Sequence, residues 1–195
     1  MVGDIDILSD DERSAMQPVR SDPRASHRTL AELFDGAART HPEGVALSYL
    51  DAELTYRELD ERSSKLARVL IDRGIGPENS VALGLTRSIE SVVAMLAVTK
   101  AGAAFVPVDP TYPGERVRFM LTDSGAVLGL TVVSELHRLP DSISWIAIDD
   151  AEFRGRLARL SVRSISNVDR VHPIRPDSPA YVIYTSGSTG LPKGV

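Results

Sequence analysis

Apolar residues near the start of the chain recur first with the period of a helix and then with that of a strand. Thr29 and Glu32 are spaced as a capping box, which marks a helix N-terminus. The apolar face of that helix has the 3.6-residue spacing and comprises Leu30, Leu33, Phe34 and Ala37. The helix is expected to end near His41-Pro42. Alternation of Val45, Leu47 and Tyr49 then predicts a half-buried strand, which residues 51–53 would turn into a hairpin.

Strand and helix patterns alternate through most of the remaining chain. A helix begins at Thr55, capped with Glu58, and runs to Gly74. The further predicted helices cover 88–101 and 114–124, and the predicted strands cover 81–85, 104–108, 127–132, 143–148 and 180–184. This alternation predicts an α/β fold, a mixed or parallel sheet with flanking helices. Prolines mark residues 161–178 as an irregular surface connection.

A loop rich in glycine, serine and threonine follows the last predicted strand. Gly187 and Gly190 let the backbone come close to an anion, so that amide N–H groups can converge on it. Lys193 adds a flexible positive charge suited to a polyphosphate, and it is the candidate catalytic residue through neutralisation of phosphate charge. The candidate phosphate-binding residues are Thr185, Ser186, Gly187, Ser188, Thr189, Gly190 and Lys193. The pattern predicts a nucleotide triphosphate site at the carboxyl end of a strand.

The loop is not the P-loop of common ATPases, because Pro192 occupies the position of the required glycine before lysine. A flexible glycine-serine linker would not be expected directly after the apolar run 180–184. The run Tyr-Thr-Ser-Gly-Ser-Thr-Gly-Leu-Pro-Lys-Gly, residues 184–194, resembles the signature loop of the adenylate-forming superfamily. That superfamily includes acyl-CoA ligases, luciferases and the adenylation domains of peptide synthetases.

Two earlier segments are similar to core motifs of nonribosomal peptide synthetase adenylation domains. Residues 54–59, Leu-Thr-Tyr-Arg-Glu-Leu, look like the first of these motifs, and residues 87–90 with 98–110 look like the second. The likeness continues through 112–126 and covers roughly 29–195, with Thr99 and Phe105 departing from the usual residues. Both motifs are expected to shape the fold, since Thr55 starts a helix and Lys100-Ala101-Gly102 is typical of a helix C-terminus.

The resemblance implies a partial N-terminal subdomain of the adenylate-forming fold and an ATP-dependent ligase activity. A carboxylate, from an amino or aryl acid, would attack the α-phosphate of ATP to give an acyl adenylate and pyrophosphate. Mg²⁺ would accompany the nucleotide, and the acyl group would pass to phosphopantetheine on a carrier domain. Carrier and condensation domains of a parent synthetase are therefore the expected protein partners, and Lys193 would hold the β- and γ-phosphates.

The resemblance also implies that further parts of an adenylation domain should follow Val195. These are the acidic metal ligand, the ribose-binding aspartate, the residues that select the substrate and the small C-terminal domain. We therefore expect residues 1–27 to be a leader or inter-domain linker, and 28–195 to be an incomplete adenylation domain that is inactive and poorly folded alone. The alternatives are a fragment of an acyl-CoA or fatty-acyl-AMP ligase and a non-catalytic truncated gene product.

Composition narrows the class of protein without identifying it. The 195 residues are 43% hydrophobic and 25% charged with a net charge of −5, which argues against a nucleic-acid surface. The acidic N-terminus does not resemble a secretory signal, and the longest apolar run, residues 92–98, is too short to span a bilayer. We expect a cytoplasmic protein that has neither nucleic-acid nor membrane partners. With no cysteine there is neither a disulfide framework nor a catalytic thiol.

Other chemistry-bearing residues are better explained by structure. The four histidines, His27, His41, His137 and His172, lack the spacing of a metal site, so no metal ligand is predicted. Asp149 and Asp150 adjoin at a helix start, where capping explains them better than acid-base catalysis. Trp145 lies in an apolar strand and is expected in the core. The arginines from 154 to 163 are expected to form a solvated helix face.

Overall fold

The computed structural model describes residue 9, residues 28–185 and residues 192–195. Its helices are α1 (Leu30–Thr40), α2 (Tyr56–Asp72), α3 (Ile89–Ala101), α4 (Gly114–Asp123) and α5 (Ala151–Ala158), with a short 3₁₀ helix at Val133–Arg138. Its strands are β1 (Val45–Tyr49), β2 (Ala52–Thr55), β3 (Ser80–Gly84), β4 (Ala104–Val108), β5 (Ala126–Thr131), β6 (Trp145–Ala147), β7 (Tyr184–Thr185) and β8 (Lys193–Gly194). The predicted order of strands and helices is confirmed.

Four parallel strands form the centre of the molecule in the order β4-β3-β5-β6. Alternate residues of β3 enter different cores: Val81 and Leu83 join one cluster, whereas Ala82 joins the other. Helices α2 and α3 cover the first face, and α4 covers the second. The sheet therefore lies between two helical layers, as expected for an α/β fold. β1 and β2 form a separate antiparallel hairpin.

Local sequence signals fix the ends of the main helices. Thr29 with Glu32 and Thr55 with Glu58 form complete capping boxes at α1 and α2. At the end of α3, Gly102 adopts a left-handed conformation with φ of 96°, which disfavours any residue with a side chain. These ends agree with the predicted boundaries.

The predicted apolar faces of the first two elements are partly wrong. Leu30 and Leu33 of α1 are 44% and 46% exposed, while Ala31 is buried. In β1, Val45 and Tyr49 are exposed, and a register irregularity interrupts the pairing between Val45 and Leu47. Periodicity identified each element, but tertiary packing chose which side faces the core.

Trp145 lies at the β6 edge of the sheet, where glycines on two neighbouring strands make room for its ring. A Cβ atom added at Gly129 would approach the indole to 2.2 Å, and one at Gly84 to 2.9 Å. The indole Nε1 donates to the carbonyl oxygen of Pro140 at 2.8 Å. Trp145 is partly buried and packs against the second core cluster, so the expected core position of the chain's single tryptophan is confirmed in part, and its polar atom is satisfied.

Lys100, near the end of α3, is buried to 1% exposure and does not point into solvent. Its Nζ donates to the carboxylate and the backbone oxygen of Asp60 and to Ser64 Oγ at 2.9 Å. The ammonium also lies 5.0 Å from the centre of the Phe34 ring. Burial lowers the pKa of Lys100, and the Asp60 carboxylate opposes that change. Lys100 therefore joins α3 to α2 and α1, beyond the helix-terminal role predicted from sequence.

Residues 161–178, here called the connector, run from α5 towards β7 without a helix or strand, as predicted. Ile165 of the connector is buried, and Ser164 donates to Asp60 Oδ2 at 2.8 Å. Arg68 of α2 donates to the carbonyl of Arg163 at 2.7 Å. Arg170 donates to the carbonyl of Lys100 at 2.7 Å. The connector is thus irregular in shape yet attached to both helices of the first face.

Asp169 is the acid that organises the connector. Its carboxylate accepts from the side chain and backbone N–H of Ser166 at 2.6 and 2.9 Å, and also from Arg68 and Arg163. These contacts, the bonds from Ser166 above all, hold the pKa of Asp169 below its ordinary value of 3.8. Because the folded state favours the ionised form, the contribution is complete above that value and is lost as pH falls.

We therefore expect Asp169→Asn to lower stability at pH 7 and to reduce the loss of stability caused by acid. Urea unfolding at pH 7 and at steps below pH 3.8 would measure both effects. Asp177→Asn is the matched control, since this exposed acid lies in the same segment. A difference from the unmodified chain that stays constant across the pH series would contradict the assignment.

Candidate functional site

The two arms of the glycine-rich loop pair with each other. In β7 and β8, Tyr184 lies opposite Gly194 and Thr185 opposite Lys193. Ile183 and Val195 extend this ladder by exchanging two backbone bonds of 2.9 and 3.0 Å. The loop is therefore closed by an antiparallel stem, and the stem brings Thr185 and Lys193 together although seven residues separate them in sequence.

The stem is attached to the open edge of the parallel sheet. Tyr181 forms a parallel bridge with Phe105 of β4, through Phe105 N–H to the Ala180 oxygen at 3.2 Å and Val182 N–H to the Phe105 oxygen at 3.0 Å. The predicted strand 180–184 is thus reduced to a bridge followed by β7. Because this segment runs parallel to β4, the loop leaves the sheet at the carboxyl ends of the strands.

An open cavity of about 350 Å³ adjoins the stem at that edge. Its lining includes residues just beyond β3 and β4, among them Arg87 and Asp109, and also Ile183 and Tyr184 of the stem. Carboxyl ends of parallel strands are where open α/β sheets bind ligands. The cavity and the loop therefore share the position expected of a binding site.

Tyr184 fastens the stem to helix α4. Its hydroxyl donates to Asp123 Oδ2 at 2.7 Å and lies 3.2 Å from the Met120 oxygen, and its ring meets Phe119 edge-on. Burial, followed by the bond to Asp123, raises the pKa of Tyr184. The hydroxyl therefore stays protonated and donating across the physiological pH range. Sequence reasoning missed Tyr184 and Asp123, since their pairing joins residues 61 positions apart.

Removal of this hydroxyl by Tyr184→Phe is expected to cost about 1 kcal/mol of unfolding free energy, the usual net value of one hydrogen bond. Urea unfolding followed by circular dichroism would measure it. Tyr181→Phe is the control, because Tyr181 is 49% exposed and lies on the same segment. Equal losses in the two variants would show that the bond to Asp123 contributes nothing to the stem.

The predicted site residues fall into two groups. Thr185 and Lys193 lie in the described stem, paired with each other, and both are exposed. Ser186, Gly187, Ser188, Thr189 and Gly190 lie outside the described residues. Gly194 was not predicted: a Cβ there would come within 3.1 Å of Val182 and 3.2 Å of the Tyr184 ring, so glycine lets that ring cross the stem.

The two aspartates considered for acid-base work have structural contacts. Asp150 caps α5 through Phe153 N–H at 3.0 Å, and Asp149 accepts from Val133 N–H at 2.7 Å. The capping explanation is confirmed for Asp150. Of the predicted arginine face, Arg154 and Arg156 lie on α5, whereas Arg163 lies beyond the helix and pairs with Asp169. None of the helices in the described part of the chain is long and apolar enough to cross a membrane.

Comparison with known proteins places this geometry in a family. The model of the AMP-binding enzyme family matches residues 34–195. A dimodular nonribosomal peptide synthase of Bacillus subtilis (strain 168) is 42% identical over 200 residues, covering 100% of this chain and 8% of that protein. Phosphinothricin tripeptide synthetase PhsC of Streptomyces viridochromogenes is 44% identical over 180 residues, covering 91% of this chain and 16% of that protein. The chain thus spans a small part of these relatives.

Solved structures agree with the sequence matches. The N-terminal subdomain of Klebsiella oxytoca NpsA superposes with a TM-score of 0.71 at 30% identity, covering 86% of this chain and 41% of that one. The nonribosomal peptide synthetase FmoA3, in an α-methyl-L-serine-AMP bound form, superposes with a TM-score of 0.75 at 28% identity, covering 90% and 18%. The fold is that of part of the N-terminal subdomain of adenylate-forming enzymes.

Proposed function

Since the chain belongs to the family of AMP-binding enzymes, we propose that it forms the N-terminal part of an adenylation domain that activates an amino or aryl acid with ATP. An oxygen of the substrate carboxylate bonds to the α-phosphorus, and the bond from that phosphorus to the bridging oxygen breaks. The products are an acyl adenylate and pyrophosphate.

The stem of the loop is the observation that supports this proposal. It holds the exposed cation of Lys193 opposite Thr185, where the loop leaves the carboxyl edge of the sheet. A cation fixed there offsets negative charge that grows on the departing pyrophosphate. The residues from Thr185 to Gly190 would surround the phosphates with hydroxyls and backbone N–H groups, as an anion-binding loop does. Tyr184 anchors the stem to helix α4 through Asp123.

The other participants are proposed from the relatives. Mg²⁺ bound to the phosphates would neutralise part of their charge. By resemblance to the family, the acidic residue that binds this Mg²⁺ is not among the residues of this chain. The acyl group would then pass to phosphopantetheine on a carrier domain, with a condensation domain as a further partner. In this proposal residues 1–27 form a leader or linker, residues 28–195 belong to the adenylation domain, and the reaction takes place in the cytoplasm.

Amino-acid-dependent exchange of labelled pyrophosphate into ATP tests the proposal directly. The protein would carry this chain together with the rest of an adenylation domain, and a panel of amino and aryl acids would be compared with a sample without acid. Exchange that depends on one or a few acids supports it. Formation of fatty-acyl-CoA without such exchange would favour the acyl-CoA ligase alternative. The relatives at 42% and 44% identity are named as peptide synthetases, which supports the main proposal.

A further inference from the structure

The antiparallel stem that carries Lys193 is too short to fix its own geometry. β7 and β8 contribute two residues each, and Ile183 and Val195 add one more pair. An isolated pair of strands is marginally stable in water, and closing the intervening residues 186–192 into a loop costs conformational entropy. The position of the Lys193 ammonium therefore depends on contacts between the stem and the rest of the fold.

The register of the stem divides its side chains between two faces. Successive side chains of a strand point to opposite faces, and residues that pair directly share a face. Tyr184 and Gly194 form one such pair, and Thr185 and Lys193 form the next. The Tyr184 side chain reaches α4, where its ring lies 6.3 Å from that of Phe119. The side chains of Thr185 and Lys193 therefore lie on the opposite face of the stem, away from α4.

One hydrogen bond anchors the face of the stem that meets α4. The Tyr184 hydroxyl donates to Oδ2 of Asp123, the last residue of α4, at 2.7 Å. The ring that carries this hydroxyl lies against Gly194, where an added Cβ atom would come within 3.2 Å of Cζ and 3.3 Å of the hydroxyl oxygen. Gly194 directly follows Lys193 in the chain. A continuous series of contacts thus connects Asp123 to Lys193.

We propose that Asp123 and Tyr184 are positioning residues for Lys193, an inference that rests on the proposed function. Their hydrogen bond holds the stem against α4 in the register that turns the Lys193 side chain away from the helix and towards the phosphates of ATP. Neither residue contacts the nucleotide, so the bond acts only through where it places the cation. Misplacement of a reacting group by about 1 Å can cost about 10²-fold in rate, so a small shift of the stem is measurable in adenylation.

The test measures kcat/KM for ATP by pyrophosphate exchange in a complete adenylation domain that contains this chain. Tyr184→Phe should lower kcat/KM about tenfold, less than the loss of Lys193 itself, because the ammonium is displaced but still present. Asp123→Ala should have the same effect, whereas Asp123→Asn keeps an oxygen that accepts from the hydroxyl and should retain most of the activity. Ser164→Ala is the matched control, since it removes another hydroxyl-to-carboxylate bond, of 2.8 Å to Asp60, on the other face of the sheet.

A double-mutant cycle with Lys193→Ala separates positioning from general destabilisation. In the Lys193→Ala background, Tyr184→Phe should change kcat/KM less than about twofold, because residues that act as one unit do not have additive effects. A smaller folded fraction would instead lower kcat/KM by the same factor in both backgrounds, and that result would overturn the proposal.

Failure of the positioning role can be distinguished from failure of the proposed function. Exchange in Tyr184→Phe that equals that of the unsubstituted domain would overturn the positioning role alone. Loss of activity in Asp123→Asn as large as in Asp123→Ala would also overturn it, since the hydrogen-bond acceptor is retained. Absence of acid-dependent exchange in the unsubstituted domain would overturn both the proposed function and this inference.

Discussion

Replacement of Lys193 by alanine is expected to lower kcat/KM for adenylation about a hundredfold in an adenylation domain that contains this chain. Lys193 is exposed at the start of β8, opposite Thr185. Its positive charge would have its largest effect in the transition state, where negative charge grows on the leaving pyrophosphate. Loss of one preorganised electrostatic partner of a transition state commonly costs about 10²–10³ in rate. Pyrophosphate exchange at saturating amino acid and varied ATP would measure the change.

Two further variants separate charge from structure at this position. Lys193→Arg keeps the charge and should retain more activity than Lys193→Ala, although the planar guanidinium fits a point-charge site less well. Arg118→Ala removes an exposed cation from α4 on a different part of the surface and should leave the exchange rate unchanged. An unaltered rate in Lys193→Ala would remove this lysine from the mechanism.

The largest expected effect on stability follows from Asp60→Ala. This change leaves the ammonium of Lys100, which is 1% exposed, without its carboxylate partner. It also removes the acceptor for Ser164 of the connector. Breaking a buried ion pair by removing one member costs about 3–5 kcal/mol, because the remaining charge stays desolvated. Urea unfolding at pH 7 would measure the loss against Asp72→Ala, an exposed acid at the end of the same helix.

The pH dependence of that variant gives an independent measurement. Burial lowers the pKa of Lys100 below 10.5, so the unfolded chain binds more protons than the folded chain just below that value. Stability then rises with pH towards 10.5, and more steeply once Asp60 no longer favours the charged form. Adding Lys100→Met to Asp60→Ala should recover part of the loss. A single-variant loss below about 1 kcal/mol would contradict the burial argument.

Short-range signals predicted most of the framework of the fold. The capping boxes at Thr29 and Thr55 and the glycine at 102 act within one turn of helix, so their effects can be recognised from a few adjacent residues. The alternation of strands and helices correctly predicted a parallel sheet. The strand expected over 180–184 was shortened to a bridge and β7, since its pairing partners are Phe105 in β4 and the residues after the loop.

Long-range contacts account for what the sequence did not reveal. In the sequence, Lys100 has the charge and position of a cation at a helix C-terminus. Only the fold brings the Asp60 carboxylate to its ammonium and the Arg170 side chain to its carbonyl oxygen. Likewise, the bond from Tyr184 to Asp123 depends on how α4 packs beneath the stem. For the candidate site, the glycine-, serine- and threonine-rich pattern leads to a set of phosphate-binding residues that stays a prediction. The register that sets Thr185 opposite Lys193 required the structure.

Trp145 gives the molecule an intrinsic fluorophore at a defined place. It is the single indole of the chain, lies on the edge strand β6 and packs on Gly84 and Gly129. The stem joins the sheet at the opposite edge, beside β4. Its emission therefore reports whether the far side of the sheet is assembled. Nucleotide bound at the glycine-rich loop should leave that emission unchanged, and a spectral shift on adding ATP would reveal that distortion passes across all four strands.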